Sequence, residues 1–477
     1  MKMNKNWVLP SLLDAKLRRN KEITYDEYIF DPKFNDLGKD KNYYIRSYGC
    51  QANERDKETI MGILEQLGFT SVSSEEKADV IILNTCAVRK TAEDKVFGEI
   101  GALKQLKINN PNLVIGVCGC MSQEDDVVNK LLTTYRQVDL IFGTHNIDRL
   151  PYLLYDVMTT GHRQVEVYSD KAEVVENLPV KRIGSHKAWI NIMYGCDKFC
   201  TYCIVPYTRG MQRSRKLEDI LNEVKQCIND GFSEVTLLGQ NVNAYGKDLD
   251  EGFRFNHLLT EVAKLPIKRL RFVTSHPWDF DDEMVDVLDK YPNIMPYIHL
   301  PVQSGDNDIL KLMGRRYTIE KYKDLFNKIK EKLPNCAFTT DIIVGFPNES
   351  DEQFQHTLDI VDYCKYDNVY CFIYSPREKT PASLMEDNVP MDVKKKRLDM
   401  LNERFRVYAL ENNLAYVGNI EEVLVDGLSK RNDNIYSGYT KSNKLVNFKS
   451  DIVLNTGDYV DVKITSAKTF TLDGEKI

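Results

Sequence analysis

No run of apolar residues in this 477-residue chain approaches the length needed to cross a bilayer. Residues 1–20 scatter Lys and Arg among apolar residues and lack the continuous apolar core of a secretion signal. The expectation is a cytoplasmic protein with no membrane partner. Excess positive charge is also missing: a net charge of −7 argues against a surface coated for nucleic acid, although local basic patches stay compatible with it. A disulfide scaffold does not fit either. Eleven cysteines, an odd number, in a large chain without a secretion signal read as metal ligands and buried thiols in a reducing compartment. What remains is an ordinary globular composition, 42% hydrophobic and 28% charged, in a chain too long for one core. Two to four domains are expected.

The clearest chemical signal is Tyr194-Gly-Cys-Asp-Lys-Phe-Cys-Thr-Tyr-Cys-Ile-Val-Pro-Tyr-Thr-Arg-Gly210, which spaces Cys196, Cys200 and Cys203 as C-x3-C-x2-C directly after a strand-like run. Three thiolates in one loop can hold three irons of a 4Fe-4S cluster and leave the fourth open for a ligand. A structural zinc site calls for a fourth Cys or His close by, and none follows Cys203 at a ligand-like distance. The alternatives are a zinc knuckle completed from far away and three unligated core cysteines.

Residues 1–40 show no clear period and read as an extension. Over 41–160, apolar runs at 43–46, 80–83, 113–117 and 139–142 alternate with helical patterns, the mark of an α/β domain on a parallel sheet. The first three runs end at Cys50, at Cys86 and at Cys118 with Cys120. Strand ends in a parallel sheet share one edge, so these cysteines would meet there as a second three-thiolate site. Buried structural cysteines are the rival reading. Cys118 and Cys120 compete for the third place, since alternate residues of an extended segment point to opposite sides.

Polar residues with Pro179 and Gly184 make 161–185 a linker. From 186 to 410, six strand-like runs alternate with helices, giving a partial (β/α)6 barrel with an open side. Strand-end residues, among them Gln240 and Gln303, are candidate cofactor contacts, while His276 and His299 read as packed or surface residues. Cys227, Cys336, Cys364 and Cys371 read as structural. Basic residues cluster twice, at Arg209, Arg213, Arg215 and Lys216 and along 394–406. Such clusters are usually solvated faces, yet two of them strengthen a nucleic-acid reading. Residues 411–477 form short β runs with no Cys or His, as in a small barrel.

Taken with Ser47-Tyr-Gly-Cys-Gln-Ala-Asn53, Asn84-Thr-Cys-Ala-Val-Arg89, Gly119-Cys-Met-Ser-Gln123, Leu238-Gly-Gln-Asn-Val-Asn243, Thr274-Ser-His-Pro277, His299-Leu-Pro-Val-Gln-Ser-Gly305 and Asp341-Ile-Ile-Val-Gly-Phe-Pro347, the loop makes the chain resemble the radical S-adenosylmethionine (SAM) methylthiotransferase family. The likeness runs from about 41 to 477 and is greatest for members acting on dimethylallyladenosine in tRNA. It implies a methylthiotransferase domain, a radical SAM barrel and a C-terminal TRAM barrel. It assigns Cys196, Cys200 and Cys203 to a SAM-binding 4Fe-4S cluster and Cys50, Cys86 and Cys120 to an auxiliary one, settling the rivalry against Cys118, with Tyr202 beside the SAM adenine. The implied reaction is methylthiolation of carbon 2 of dimethylallyladenosine at position 37, next to the anticodon, using two SAM molecules. The implied partners are such a tRNA, a flavodoxin- or ferredoxin-type electron donor, and Fe-S assembly or sulfur-delivery proteins. Alternative substrates within the class are threonylcarbamoyladenosine in tRNA and an aspartate of a ribosomal protein; outside it stands an RNA-binding protein with structural zinc. Two departures from the family pattern are Lys379, where Ser375-Pro-Arg-Glu-Lys-Thr-Pro381 usually carries Gly, and Tyr439, where TRAM usually carries Arg.

Overall fold

The computed structural model describes residues 22–87, 90–168, 172–250, 252–430 and 432–477. Two compact units divide the chain: residues 1–183, 193–199 and 203–215 form one, and 184–192, 200–202 and 216–477 form the other. The division runs through the three-cysteine loop.

The first unit is built on a six-stranded parallel sheet. Its order is Thr70–Ser71, Asn42–Tyr48, Val80–Thr85, Val114–Gly119, Leu140–Phe142 and Gln164–Glu166. The central strands are continuous apolar runs because both faces are covered. Val80, Ile82, Val114 and Cys118 enter one core with Ile60, Leu64 and Leu154, while Ile81, Leu83, Ile115 and Val117 enter the other with Val96, Ile100 and Leu131. This period of two places Cys118 inside a core.

Two expectations need correction here. Residues 22–40 are not a loose extension: Thr24–Glu27 pairs in parallel with Glu173–Glu176, and Phe34 is buried with its ring edge-on to Tyr152 at 4.7 Å. Residues 1–21 of that extension lie outside the described residues. Nor is 161–185 a plain linker. It supplies the sixth sheet strand and the partner of Thr24–Glu27, and Arg182 and the Ile183 N–H both bond the buried Glu58 carboxylate. Such strands are held by backbone hydrogen bonds and run only three or four residues, so no apolar period marks them.

In the second unit the six parallel strands form two halves. Lys187–Asn191, Glu234–Leu238 and Arg269–Phe272 make one, and Tyr297–His299, Ala337–Val344 and Asn368–Ile373 the other. A parallel bridge between Leu270 and Ile294 joins them. Among the described residues the first and last strands do not pair, so the barrel is open. A closed five-stranded barrel, Ile420–Ser429 to Leu472–Lys476, follows the helix Met391–Leu414, which runs across the expected boundary at 411. It docks on the amino-terminal ends of the first three strands: Arg269 donates to the Tyr439 and Glu422 carbonyls, Arg271 to those of Thr440 and Lys441, and Lys187 pairs with Asp426. No helix among the described residues is long and apolar enough to cross a membrane.

Candidate functional site

Cys50, Cys86 and Cys120 follow neighbouring strands of the six-stranded sheet. The register sets Tyr48 opposite Thr85 and Thr85 opposite Gly119, so the segments beyond these strands emerge side by side. From Asn42–Tyr48 the chain passes to the outer strand Thr70–Ser71 and crosses back to Val80–Thr85. That reversal is a topological switch point, where parallel sheets bind ligands.

Two asparagines fix the corner. Asn53 Nδ2 donates to Asn84 Oδ1 at 3.4 Å and to the Thr85 carbonyl at 3.3 Å, and Asn84 Nδ2 donates to the Asn53 carbonyl at 2.7 Å. The first turn of the helix Gln51–Gln66, which starts at Cys50, is thereby tied to the strand end that carries Cys86. Gly119 permits the close approach beside Cys120: its φ is +94°, and a Cβ there would stand 2.4 Å from the Thr85 carbonyl oxygen. Gly119→Ala is expected to destabilise the iron-free protein by about 2–4 kcal/mol, read as a lower urea midpoint at unchanged slope.

The thiols differ in readiness to ionise. A hydrogen bond with Cys86, the charge of Arg209 and the Asn53 and Ala52 N–H groups at the helix start hold Cys50 below the ordinary thiol range. Burial pushes Cys118 well up, and it pushes Cys120 up against the opposing charge of Arg209. Ligands are thiolates, so Cys118, packed in the core, is the poorer donor. Arg209 is buried and donates from Nε to Cys120 Sγ at 3.2 Å and from Nη2 to Asp56 Oδ2 at 2.7 Å. Asn53, Asn84, Asp56 and Arg209 were not singled out for these roles by sequence reasoning. Three of them stand within the quoted motifs, and that was the available signal.

The loop has its own supports. Within the first unit, Met193–Tyr194 pairs antiparallel with Arg213–Ser214, the Cys196 N–H donates to the Gly210 carbonyl at 3.2 Å, and the Gln212 N–H donates to Asp197 Oδ1 at 3.1 Å. Ile204 and Tyr207, just past Cys203, share a small buried cluster with Ala87 and Cys120. Within the second unit, Thr201 bonds the Leu312 and Met313 carbonyls, and Arg315 donates to Cys200 Sγ at 3.6 Å and to the Pro301 carbonyl at 2.7 Å. Tyr202 lies edge-on to Phe346 at 6.5 Å. Gln240 is half-buried at the end of Glu234–Leu238; Gln303 is buried with φ +71° and bridges by its backbone to the strand Ala337–Val344. Nearby strand ends hold Asn241 Oδ1 and Ser275 Oγ, buried and without a hydrogen-bond partner among the described residues. Such atoms suit a bound polar molecule.

His299 is engaged with Thr339 and Asp341, and His276 accepts the Trp278 N–H and meets Tyr317 edge-on. The two basic clusters, expected as solvated faces, are largely engaged in ion pairs inside the fold. Arg209 pairs with Asp56, Arg215 with Glu176 through two bonds of 2.7 and 2.5 Å, and Arg213 bonds His145. Lys394 pairs with Asp387, Arg397 with Glu349 and Asp351, and Arg404 with Asp362. Lys216, Lys395, Lys396 and Arg406 remain exposed. Lys379 takes φ +69°, the left-handed region that favours glycine. Lys379→Gly should raise stability by up to about 1 kcal/mol, the relief of a side chain in that region less the added unfolded-state entropy, measured by urea unfolding.

The Radical SAM superfamily matches residues 190–361, the Uncharacterized protein family UPF0004 matches 42–143, and the TRAM domain matches 414–477. The tRNA-2-methylthio-N(6)-dimethylallyladenosine synthase of Bacillus cytotoxicus is 54% identical over 473 residues, covering 98% of this chain and 92% of its own. That of Bacillus licheniformis is also 54% identical over 473 residues, covering 99% and 93%. The chain belongs to this synthase family. Among solved structures, the radical S-adenosylmethionine methyltransferase TsrM from Kitasatospora setae, with cobalamin and a 4Fe-4S cluster bound, matches with a TM-score of 0.53 over 72% of this chain and 74% of its own. At 13% identity this likeness concerns the fold alone. The synthase family is a radical SAM family, and its cofactors are SAM and 4Fe-4S clusters. Among the described residues no three His, Cys, Asp or Glu side chains converge on a single metal ion. The residues fit a larger group bound at its corners by thiolates: three cysteines on adjacent strand ends, one with a lowered pKa and one bonded by a buried arginine.

Proposed function

We propose that this protein attaches a methylthio group to carbon 2 of dimethylallyladenosine at position 37 of tRNA, using SAM both as methyl donor and as radical source. The observation that carries the reading is the pair of three-cysteine sets, one in a local loop and one assembled by sheet topology, in a chain 54% identical over nearly its whole length to synthases of that name. Cys196, Cys200 and Cys203 hold the cluster that binds SAM, and Cys50, Cys86 and Cys120 hold an auxiliary cluster that takes part in sulfur transfer. When bound, the loop cluster and SAM supply one-electron chemistry that acid-base groups do not offer at a carbon bearing no acidic proton.

The chain's own residues do the rest. Within the second unit Arg315 and Thr201 hold the middle of the loop, and within the first the pairing of Met193–Tyr194 with Arg213–Ser214 holds its ends. Tyr202 supplies an aromatic face for the adenine of SAM, and Gln240 and Gln303 supply polar contacts at the strand ends. Asn53 and Asn84 keep Cys50 and Cys86 at a set separation. The open barrel admits a large substrate, and the target base leaves its stack to reach the reacting group. The C-terminal barrel binds the tRNA. The electron donor is of flavodoxin or ferredoxin type, sulfur returns through Fe-S assembly or delivery proteins, and the reaction takes place in the cytoplasm. Mass spectrometry of tRNA nucleosides from cells lacking the gene tests the substrate. Methylthio-dimethylallyladenosine should vanish and its unthiolated parent accumulate; an unchanged amount of the methylthio nucleoside would sink the reading.

A further inference from the structure

We propose that Arg209 is the positioning residue of the N-terminal three-cysteine site: a guanidinium carried by the segment that follows the radical SAM loop, which donates directly to Cys120 and sets the electron affinity of whatever cluster that thiolate holds. The proposal rests on the reading that Cys50, Cys86 and Cys120 bind an iron-sulfur cluster.

The geometry is that of a built contact. Arg209 is 6% exposed, its Nε lies 3.2 Å from Cys120 Sγ, and its Nη2 lies 2.7 Å from Asp56 Oδ2. Its backbone is held at both ends: the Arg209 N–H donates to the Val205 carbonyl at 2.8 Å, and the Arg209 carbonyl accepts from Arg213 Nη2 at 3.2 Å. Ile204 and Tyr207, on the same short segment, pack with Cys120 and Ala87. Asp56 sits on the helix that begins at Cys50, so Arg209 bonds both the helix of one ligand and the sulfur of another. A planar guanidinium can make these two bonds at once; an ammonium offers the charge without the fork.

A cation bonded to a thiolate ligand favours the more negative, reduced state of a cluster, because hydrogen bonds to the sulfurs and net charge set the potential. Asp56 neutralises part of that charge through Nη2, while the Nε–H stays directed at Cys120. If Arg209 served only to pair with Asp56, exchanging the ion pair for a neutral amide pair would leave the potential where it is.

The test uses the full-length chain with Cys196, Cys200 and Cys203 changed to Ala, so that only the N-terminal site can bind a cluster. Into this parent are placed Arg209→Lys and the double change Asp56→Asn with Arg209→Gln, which keeps the buried pair neutral. Redox titration followed by electron paramagnetic resonance reads the midpoint. The double variant should shift the reduced-to-oxidised ratio at least tenfold toward oxidised at a given potential, 59 mV for a one-electron couple. Arg209→Lys should recover most of that shift. Equal midpoints in all three proteins, each carrying iron and sulfide, would overturn the role of Arg209. A parent that takes up no iron or sulfide would instead overturn the cluster reading of Cys50, Cys86 and Cys120, and Arg209 with it.

Discussion

Cys86→Ala is expected to leave SAM cleavage within a few-fold of the wild type while lowering methylthiolated product by about three orders of magnitude. The argument follows from placement. Cys86 directly follows the strand Val80–Thr85 and bonds Cys50, and all three cysteines follow neighbouring strands of the six-stranded sheet, away from the local C-x3-C-x2-C spacing. Removing one of three thiolates undoes the auxiliary site, and the other two cannot replace it. The loop cysteines keep their own supports, the Gly210 carbonyl for the Cys196 N–H and Arg315 for Cys200. Liquid chromatography of 5′-deoxyadenosine and of digested tRNA, run on one reaction, measures both quantities. Full product from the variant would refute a sulfur-transfer role for this site.

Cys200→Ala is expected to abolish both. Cys200 is the middle cysteine of the C-x3-C-x2-C set and buried, and Arg315 donates to its sulfur at 3.6 Å. Without that thiolate the loop retains two ligands. SAM cleavage should fall by about three orders of magnitude or more, and product with it, because every later step needs the radical. Iron at the N-terminal site should persist, so that about four irons per chain remain. The two substitutions thus separate the functions: one loses product alone, the other loses cleavage and product together. Retained cleavage in Cys200→Ala would remove the loop from its assigned role.

These roles were unevenly legible in the sequence. The loop is local, and spacing alone shows three thiolates that one cluster can use. The central strands were visible because both faces of the sheet are covered and their runs are apolar, as at Val80-Ile-Ile-Leu83. From there, parallel topology brings Cys50, Cys86 and Cys120 to one edge without any local motif. Alternation along the strand does not choose between Cys118 and Cys120 as ligands. Cys118 packs with Ile82-side core residues, and Cys120 meets a cation.

What escaped notice has one cause in common. Thr24–Glu27, Glu173–Glu176 and Gln164–Glu166 are three or four residues long and held by backbone pairing, too short for an apolar period to show in the sequence. The partners of the basic clusters stay out of sight in the sequence for a related reason. Arg209 finds Asp56 153 positions earlier, and Arg215 finds Glu176 39 positions earlier. A one-dimensional reading sees the cations together and their partners scattered. Lys379 was noticed as a departure, but its left-handed backbone shows why glycine is usual there.

The central claim, two clusters on two three-cysteine sets, is tested most directly by iron and acid-labile sulfide analysis of protein purified without oxygen. The wild type should carry about eight irons and eight sulfides per chain, and about four of each should remain when either Cys50, Cys86 and Cys120 or Cys196, Cys200 and Cys203 are changed to Ala. Zinc without sulfide, or a full complement of iron in either triple variant, would contradict it.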